Sequence, residues 1–429
     1  MKTYNYSDLS KADIAKLVQR NVDPANEIRA IVEEVIAGVQ QNGDAALFDY
    51  AAKFDQVLLD KLYLDKAELE ILASTVSATQ KAALDTAYQN IYKFHEAQLK
   101  SEDKIETMPG VTCWRELRPI EKVGLYIPGG TAVLPSTFLM LGIPAKIAGC
   151  HEIIVCSPPQ KNGGVNAFIA YVALMLGIDK IFLAGGSQAI AAMAYGTESI
   201  TKVDKIFGPG NQFVTKAKTI VQSTTTTAID MPAGPSEVLV IADESATPKY
   251  IAADLLAQAE HGIDSQSVLV CTSNDIAAET ITEVNRQVAT LPRAEIAQQA
   301  IDNSYIVVVD NLYEAITFSN QYAPEHLILA TDKWETITGS ISNAGSVFLG
   351  NLTPESAGDY ASGTNHTLPT SSYAKAYSGV SVDSFVKKIT FQFITAEGLK
   401  NIGPAVQTLA ELEGLHAHAN AVAVRNDNL

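Results

Sequence analysis

EVLVIADESATPKYIAADLLAQAEHGIDSQSVLVC, residues 237 to 271, decides the fold class of this chain. Two short apolar runs, EVLVIA and SVLVC, flank a longer segment that opens with Thr247 and Pro248. Thr is favoured just before a helix, and Pro fits the first helical position because its missing N–H costs no hydrogen bond there. A strand, a helix and a second strand in this order are typical of a parallel sheet with helices on its faces.

The same alternation extends in both directions. Downstream, YIVVV and HLILA continue the series, and from about residue 121 the runs VGLYI, EIIVC, KIFLA and KIFG form an earlier one. Residues 1 to about 105 are predicted to be helical, with an apolar helical face over residues 28–39 that ends near Gly43. The tail from about residue 396 is predicted to be amphipathic helix. These patterns predict an α/β protein with two parallel-sheet domains, a helical N-terminal segment and a helical tail.

Length and composition exclude several functional classes. A chain of 429 residues exceeds what one hydrophobic core usually serves, and 47% hydrophobic with 18% charged residues is a globular composition. The net charge of −17, with no basic run to offset it, disfavours nucleic acid as a partner. The N-terminus lacks the apolar core of a secretory signal, and the longest apolar stretch, residues 165–178, is shorter than the roughly 18 residues of a membrane span. We therefore expect a cytoplasmic protein that binds no membrane.

The cysteines are scattered through the chain without a CxxC pair, which favours reduced, buried thiols over a metal site. They are Cys113, Cys150, Cys156 and Cys271. A role for Cys113 or Cys150 stays open at this point.

Candidate catalytic groups concentrate in the second half of the chain. Gln258 and His261 are three residues apart on a predicted helix that Gly262 ends, so both side chains could contact one metal ion. A solvated helix face explains the same spacing. APEHL places Glu325 and His326 together before an apolar run, and a buried His beside a surface Glu is the plainer explanation of that motif alone.

Other segments carry polar groups or glycines that could bind a substrate or a cofactor. The Gly-rich segment 344–373 contributes Asp359 and His366, and the tail contributes Glu413 and His418, although a solvated loop and a surface helix explain these too. The turns GLYIPGGTA, LAGGSQA and FGPGNQF each follow a predicted strand, where backbone N–H groups and a helix N-terminus can bind a phosphate. None matches GxGxxG, so a dinucleotide site and ordinary turns both remain possible.

Taken together, these segments resemble the histidinol dehydrogenase family. The resemblance is carried by GLYIPGGTAVLPSTFLMLGIPAKIAGC, FGPGNQFV, DMPAGPSEVLVIAD, LLAQAEHGIDSQ, YAPEHL, NAGSVFLGNLTPESAGDYASGTNHTLPT and ELEGLHAHANAV, and it runs from about residue 25 to about residue 425. It implies an enzyme of histidine biosynthesis that oxidises L-histidinol through bound L-histidinaldehyde to L-histidine and reduces two NAD+.

The resemblance also implies a domain organisation and a homodimer. An N-terminal arm would occupy residues 1–25, a first Rossmann-like domain residues 26–118 and 237–375, and a second one residues 119–236. The tail, residues 376–429, would cross to the other subunit and complete its site.

By the same resemblance, particular residues receive roles. One zinc ion per subunit would be held by Gln258, His261, Asp359 and His418, the last from the second chain. His326 would take the proton of the alcohol, and Glu325 would activate the water that hydrates the aldehyde. Because neighbouring strand residues point to opposite faces, we expect both residues to lie in an irregular turn set by Pro324, before the strand.

The implied contacts complete the site. The substrate contacts are Ser236, Gln258, His261, His326, Asp359, His366, Glu413 and His418. The NAD contacts, one from each Gly-rich turn, are Tyr126, Gln188 and Asn211.

Two other functional classes remain open. In a zinc-dependent hydrolase, zinc-bound water would attack with Glu325 as the base, and NAD would not be needed. A non-catalytic two-lobed protein would bind a ligand in its interdomain cleft. Neither accounts jointly for the metal ligands, the two bases and the three turns. A specialised, non-biosynthetic use of the same oxidation also stays open.

Overall fold

The computed structural model describes residues 1–20, 26–129 and 134–429, so part of the first predicted Gly-rich turn and of the N-terminal arm lies outside the described residues. The strands are β1 (Lys2–Asn5), β2 (Tyr63–Asp65), β3 (Ile105–Met108), β4 (Val111–Pro119), β5 (Lys122–Tyr126), β6 (Glu152–Ser157), β7 (Lys180–Leu183), β8 (Lys205–Phe207), β9 (Ala228–Ile229), β10 (Glu237–Ala242), β11 (Gln266–Cys271), β12 (Tyr305–Val308), β13 (His326–Ala330), β14 (Ser346–Leu349) and β15 (Val386–Ile394). The helices are α1 (Lys11–Val18), α2 (Asn26–Tyr50), α3 (Lys66–Ser74), α4 (Ala78–Glu96), α5 (Pro135–Ala148), α6 (Ala167–Met175), α7 (Gly186–Tyr195), α8 (Gln212–Thr224), α9 (Pro248–Ala259), α10 (Asn274–Val288), α11 (Ala294–Asp302), α12 (Leu312–Tyr322), α13 (Trp334–Ile337), α14 (Glu355–Tyr360), α15 (Ala396–Leu412) and α16 (His416–Asn426).

Two six-stranded sheets form the frame. The first has the order β1-β12-β11-β10-β13-β14 and is parallel throughout. The second has the order β2-β7-β6-β5-β8-β9, in which β2 runs antiparallel to β7 and the other pairs are parallel. The predicted α/β class with two parallel-sheet domains is confirmed.

After its first residue, the sequence of β10 is a continuous apolar run and does not alternate between apolar and polar residues. Val238 and Val240 are buried in the core on one face of the first sheet, whereas Leu239 and Ile241 are buried in the core on the other face. A parallel strand covered by helices on both faces is apolar at every position. The continuous run therefore follows from the three-layer architecture.

The N-terminal segment departs from the prediction of an all-helical arm. Residues Lys2–Asn5 form an edge strand that pairs in parallel with β12, and α1 follows it. The ring of Tyr4 packs edge-on against Tyr305 at 6.1 Å between centroids. Pairing with a strand some 300 residues downstream is a tertiary contact, which local periodicity does not contain.

Residues 26–96 pack against the second sheet. Val32, Ile36 and Val39 of α2 share a core with Tyr126 and Ile190, and β2 extends the edge of that sheet. This differs from the predicted grouping of residues 26–118 with residues 237–375. The apolar face of α2 indicates that the helix packs on a sheet, and only the structure shows which one.

The tail leaves the two-sheet body through a third, antiparallel sheet with the order β15-β4-β3. The predicted helical tail is present as α15, which begins at Ala396, and α16, which packs on α15. None of the helices in the described ranges combines the length and apolar character needed to span a membrane.

Candidate functional site

The turn that carries Glu325 and His326 joins α12 to β13. Ala323 ends α12 in the left-handed region with φ 54°, Pro324 follows, and His326 is the first residue of β13. Glu325 thus lies in the predicted turn, whereas His326 already belongs to the strand. A non-glycine residue with positive φ is strained, and such strain persists where neighbouring contacts fix the chain. Here the Ser346 N–H donates to the Glu325 carbonyl oxygen at 2.9 Å and ties the turn to β14.

The backbone of one residue, Glu237 at the start of β10, holds both candidate bases. Its N–H donates to Glu325 Oε2 at 2.9 Å, and its carbonyl oxygen accepts from His326 Nδ1 at 3.2 Å. Because a carbonyl oxygen can only accept, the neutral imidazole carries its proton on Nδ1. The lone pair of His326 therefore lies on Nε2, the atom that could take a proton from a substrate.

Two more carboxylates surround His326. Its Nε2 lies 3.2 Å from Asp359 Oδ1, and its Nδ1 lies 3.9 Å from Glu355 Oε1 and 3.6 Å from Glu325 Oε2. Glu355 is 1% exposed. Among the described residues, His326 Nε2, Glu355 Oε2 and Asp359 Oδ1 are buried without a hydrogen-bond partner. Buried polar atoms of this kind are rare and indicate a missing ligand or a reactive role.

The electrostatics of the cluster are dominated by its excess of carboxylates. Burial raises the pKa of Glu325 to about 8 and that of Glu355 well above its usual range. Burial opposes protonation of His326, but Glu355, Glu325 and Asp359 outweigh it and raise the imidazole pKa to about 10. Burial also acts to raise the pKa of Asp359, and the contact with His326 lowers it overall. Three buried carboxylates with one imidazole form a site that is short of positive charge.

Gln258 and His261 reach this cluster from the end of α9. The helix ends at Ala259, and a tighter bond from the His261 N–H to the Gln258 carbonyl oxygen, 3.2 Å, turns the chain. The helix thus ends before His261, earlier than predicted, and the shared face of the two side chains stays a prediction. The Gln258 amide is buried and satisfies both of its neighbours when its nitrogen donates to Glu355 Oε1 and its oxygen accepts the Glu237 N–H at 3.0 Å.

His261 faces a cleft instead of the interior. Its side chain remains open to the solvent of the cleft, and partial burial lowers its pKa against the opposing effect of the Asp359 carboxylate. His261 and Asp359 thus border one space, in which both can contact the same ligand.

The donor set fits a divalent metal ion. Imidazole nitrogens and carboxylate oxygens are ligands that zinc takes in proteins, and the charge shortage and unpartnered atoms favour a cation. Within the described ranges, one ligand atom each of His326, Glu355 and Asp359 lies within 4.8 Å of the others. Of the predicted zinc ligands, Asp359 belongs to this group, and Gln258 and His261 adjoin it.

The predicted NAD contacts line one large cleft beside the cluster. The cleft has a volume of about 1500 Å³ and is bordered by Tyr126, Gln188, Asn211 and His261. The Tyr126 hydroxyl accepts the N–H of Gly186 at 3.1 Å, and burial raises its pKa to about 12. Both α7 and α8 begin at this cleft, where the helix dipole favours an anion.

The other predicted substrate contacts are divided between the cluster and the tail. His366 Nδ1 hydrogen-bonds the Asp359 carbonyl oxygen at 2.8 Å, and Ser236 directly precedes Glu237. Glu413 and His418 are exposed on the tail, and in the described part of the chain no contact links either residue to the cluster. A single chain therefore brings together only part of the predicted site.

Two residues of the site escaped the sequence analysis. Glu355 precedes Asp359 by four residues, the spacing that places two side chains on one helical face, and α14 does align them. Glu237 is the only charged residue in the apolar run of β10. A charge at the edge of a fully buried strand was the signal that could have identified it.

Comparison with known proteins gives a consistent result over the whole chain. The sequence model of the family described as histidinol dehydrogenase matches residues 18–426. A histidinol dehydrogenase from Bacteroides thetaiotaomicron is 54% identical over 429 residues, all of both chains, and the chloroplastic histidinol dehydrogenase of Arabidopsis thaliana is 53% identical over 99% of this chain and 91% of its own. The crystal structure of histidinol dehydrogenase from Elizabethkingia anophelis matches with a TM-score of 0.97 and 52% identity, covering 100% of this chain and 98% of that chain.

Proposed function

This chain belongs to the histidinol dehydrogenase family of NAD-dependent oxidoreductases, which act on an alcohol and an aldehyde, and from that premise we propose that it oxidises L-histidinol to L-histidine in two steps. Bound L-histidinaldehyde would be the intermediate, and two NAD+ would be reduced. The observation that carries this proposal is the placement of two proton-accepting groups, Glu325 and His326, in one buried cluster with Asp359, whose neighbour Tyr360 lines the cleft that suits a dinucleotide.

In the first oxidation, the neutral form of His326 removes the hydroxyl proton of the substrate through Nε2. A cation bound beside Asp359 would favour that neutral form by offsetting the carboxylates that raise the imidazole pKa. The Glu237 carbonyl oxygen fixes the imidazole by accepting from Nδ1, so the basic nitrogen needs no reorientation before the reaction. As the proton moves to Nε2, the carbinol carbon can release a hydride to the nicotinamide. Asp359 Oδ1, 3.2 Å from Nε2, stabilises the imidazolium that forms.

In the second oxidation, Glu325 takes a proton from the water that adds to the aldehyde. Its Oε2 accepts the Glu237 N–H at 2.9 Å, which leaves the other carboxylate oxygen to bind that water. As the water adds, the protonated His326 returns its proton to the carbonyl oxygen, so that the carbon carries two hydroxyl groups and the imidazole is neutral again. His326 then removes a hydroxyl proton as the second hydride leaves. Two successive proton transfers thus explain why the motif contains two adjacent acid–base groups.

We assign the metal site to Gln258, His261 and Asp359, with His418 supplied by a second copy of the chain. When bound, a zinc ion there supplies positive charge that orients the substrate's nitrogen atoms and offsets the buried carboxylates. The support is the unpartnered Asp359 oxygen and the closeness of Asp359 to His261. Ser236, His366 and Glu413 would complete the contacts to the substrate, and Tyr126, Gln188 and Asn211 would contact NAD+.

A homodimer would bring the tail to the site. Glu413 and His418 are exposed, and the nearby Leu409 and Leu412 of α15 are 61% and 79% exposed. Large apolar side chains exposed next to candidate ligands favour a surface that a second subunit covers. We place the enzyme in the cytoplasm, although the Arabidopsis relative is named as chloroplastic.

The test is the amount of NADH formed per L-histidinol consumed by the purified, zinc-loaded protein, before and after chelator treatment. We expect two NADH per substrate, with activity lost on chelation and restored by zinc. Glu325→Gln should slow the second oxidation more than the first, so that aldehyde accumulates. The absence of any NADH would overturn the proposal and leave a zinc-dependent hydrolase, acting on another substrate, as the alternative.

A further inference from the structure

Arg20 makes an extensive set of contacts for a residue far from any substrate. It follows α1, and its side chain is 9% exposed. Nε donates to Glu237 Oε1 at 3.0 Å and Nη2 donates to Glu237 Oε2 at 2.8 Å, a bidentate pair with a carboxylate that is itself 2% exposed. The guanidinium also stacks on the ring of Tyr322, 3.3 Å from the ring centroid. Paired, planar contacts of this kind fix the geometry of both partners.

The two partners of Arg20 lie on either side of the catalytic turn. The backbone of Glu237 holds Glu325 through its N–H and His326 through its carbonyl oxygen. Tyr322 ends α12 three residues before Glu325, and its carbonyl oxygen accepts from Arg20 Nη1 at 3.1 Å. Arg20 therefore joins the strand that supports the two bases to the helix end from which their turn begins.

We propose that Arg20 is a positioning residue that, through Glu237 and Tyr322, fixes the location of Glu325 and His326. This inference rests on the proposed function, in which those two residues transfer protons. A displacement of about 1 Å at reacting groups can cost a factor of about 100 in rate. Loss of the guanidinium fork would release both the start of β10 and the start of the turn, so both oxidations should slow.

A purely structural role predicts a different outcome. If Arg20 only stabilised the fold, its replacement would lower the melting temperature, and the remaining folded enzyme would keep the kcat of the unaltered chain. A positioning role lowers the kcat of the folded enzyme. NAD+ binding should not change in either case, because the proposed contacts lie at the second sheet: Tyr126 ends β5, Gln188 lies on α7 and Asn211 precedes α8.

The experiment compares Arg20→Gln and Arg20→Lys with the unaltered chain. Arg286→Gln is the matched control, because Arg286 also pairs with a carboxylate, Glu283, but its side chain is 57% exposed. The measurements are kcat and KM with L-histidinol and, separately, with L-histidinaldehyde, melting temperature, and NAD+ binding by fluorescence titration. The assay temperature is set well below the lowest melting temperature.

We expect Arg20→Gln to lower kcat by about 10- to 100-fold with both substrates, while the dissociation constant of NAD+ changes less than about twofold. Arg20→Lys keeps the positive charge but loses the paired N–H groups of the guanidinium, so it should fold even if Arg20→Gln does not. Its kcat should lie between those of the unaltered chain and Arg20→Gln. A kcat within twofold of the unaltered chain for folded Arg20→Lys and Arg20→Gln would overturn the inference. If the unaltered chain itself forms no NADH, the proposed function has failed instead.

Discussion

Replacement of Lys218 by Met should destabilise the protein strongly and weaken NAD+ binding. Lys218 lies on α8 and forms an ion pair with Asp230, just after β9, and their side chains are 5% and 1% exposed. Both residues also hold Gly208, the first residue of the turn that borders the cleft. Lys218 Nζ donates to the Gly208 carbonyl oxygen at 2.9 Å, and Asp230 Oδ2 accepts the Gly208 N–H at 2.9 Å.

The expected magnitude follows from the burial of the pair. When one partner of a buried ion pair is removed, the other remains as an uncompensated charge, which costs about 3–5 kcal/mol. The turn should loosen as well, because it loses the hydrogen bond from Lys218 to Gly208. Gly208 has φ 132° and packs so closely on the Tyr126 carbonyl oxygen that a Cβ there would collide with it. We expect the dissociation constant of NAD+ to rise about tenfold, which corresponds to about 1.4 kcal/mol.

The assay is urea unfolding followed by circular dichroism at one fixed protein concentration, for Lys218→Met, Asp230→Asn and the double variant. Because the double variant leaves no buried charge, it should recover at least half of the stability lost in Lys218→Met. The control is Lys66→Met, which removes a lysine whose side chain is 60% exposed and which pairs with Asp179 on the surface. A loss below about 1 kcal/mol in Lys218→Met, or a double variant less stable than both single ones, would refute the reasoning.

Two further predictions concern thiols and pH. Burial raises the pKa values of Cys150 and Cys271 to about 11 and that of Cys156 further, whereas Cys113 is only half-buried. A thiol reagent should therefore modify one cysteine in the native protein and four in denaturant. Rapid modification of a second thiol in the folded protein would contradict this. Burial raises the pKa of Asp55 from 3.8 to about 6, so its ionisation opposes folding increasingly as the pH rises from about 4 to 6 and constantly above that. Asp55→Asn should therefore raise the melting temperature at pH 8 by a few degrees at most, given the partial exposure of Asp55, and leave it unchanged near pH 4; an equal shift at both pH values would exclude this origin.

The sequence contained the parts of the site that are local. Glu325 and His326 stand together in one short motif, and the runs that form β10 and β13 are apolar at every position after the first, so both residues and their strands could be predicted. The end of α9 could not be placed to the residue, because the turn before His261 is set by a hydrogen bond between backbone atoms.

Contacts between segments that are distant in the chain could not be predicted from the sequence. Arg20 and Glu237 are 217 positions apart, and neither residue stands in a local pattern that requires the other. The same holds for α2, whose apolar face fits either sheet equally well on periodicity alone. Local patterns determine which faces of an element are buried, whereas the choice of partner depends on the whole fold.

The first sheet contributes the amino ends of its strands to the site and the second sheet contributes the carboxyl ends, which explains why the two sides of the site differ in the charge they favour. Tyr126 ends β5, and the turn at Gly208 follows β8, so the cleft lies at the carboxyl ends of the second sheet, where α7 and α8 begin and favour an anionic dinucleotide. Glu237 and His326 instead begin β10 and β13, at the amino ends of the first sheet. Helices that return to that edge, α9 and α12, end there, and the carbonyl groups at a helix C-terminus favour cations. Arg20 already occupies the end of α12, and Gln258 lies in the last turn of α9. The edge that holds Glu325 and His326 is thus suited to positive charge, and the carboxyl edge of the second sheet is suited to phosphate. The proposed reaction would therefore place its alcohol at the first edge and its hydride acceptor at the second.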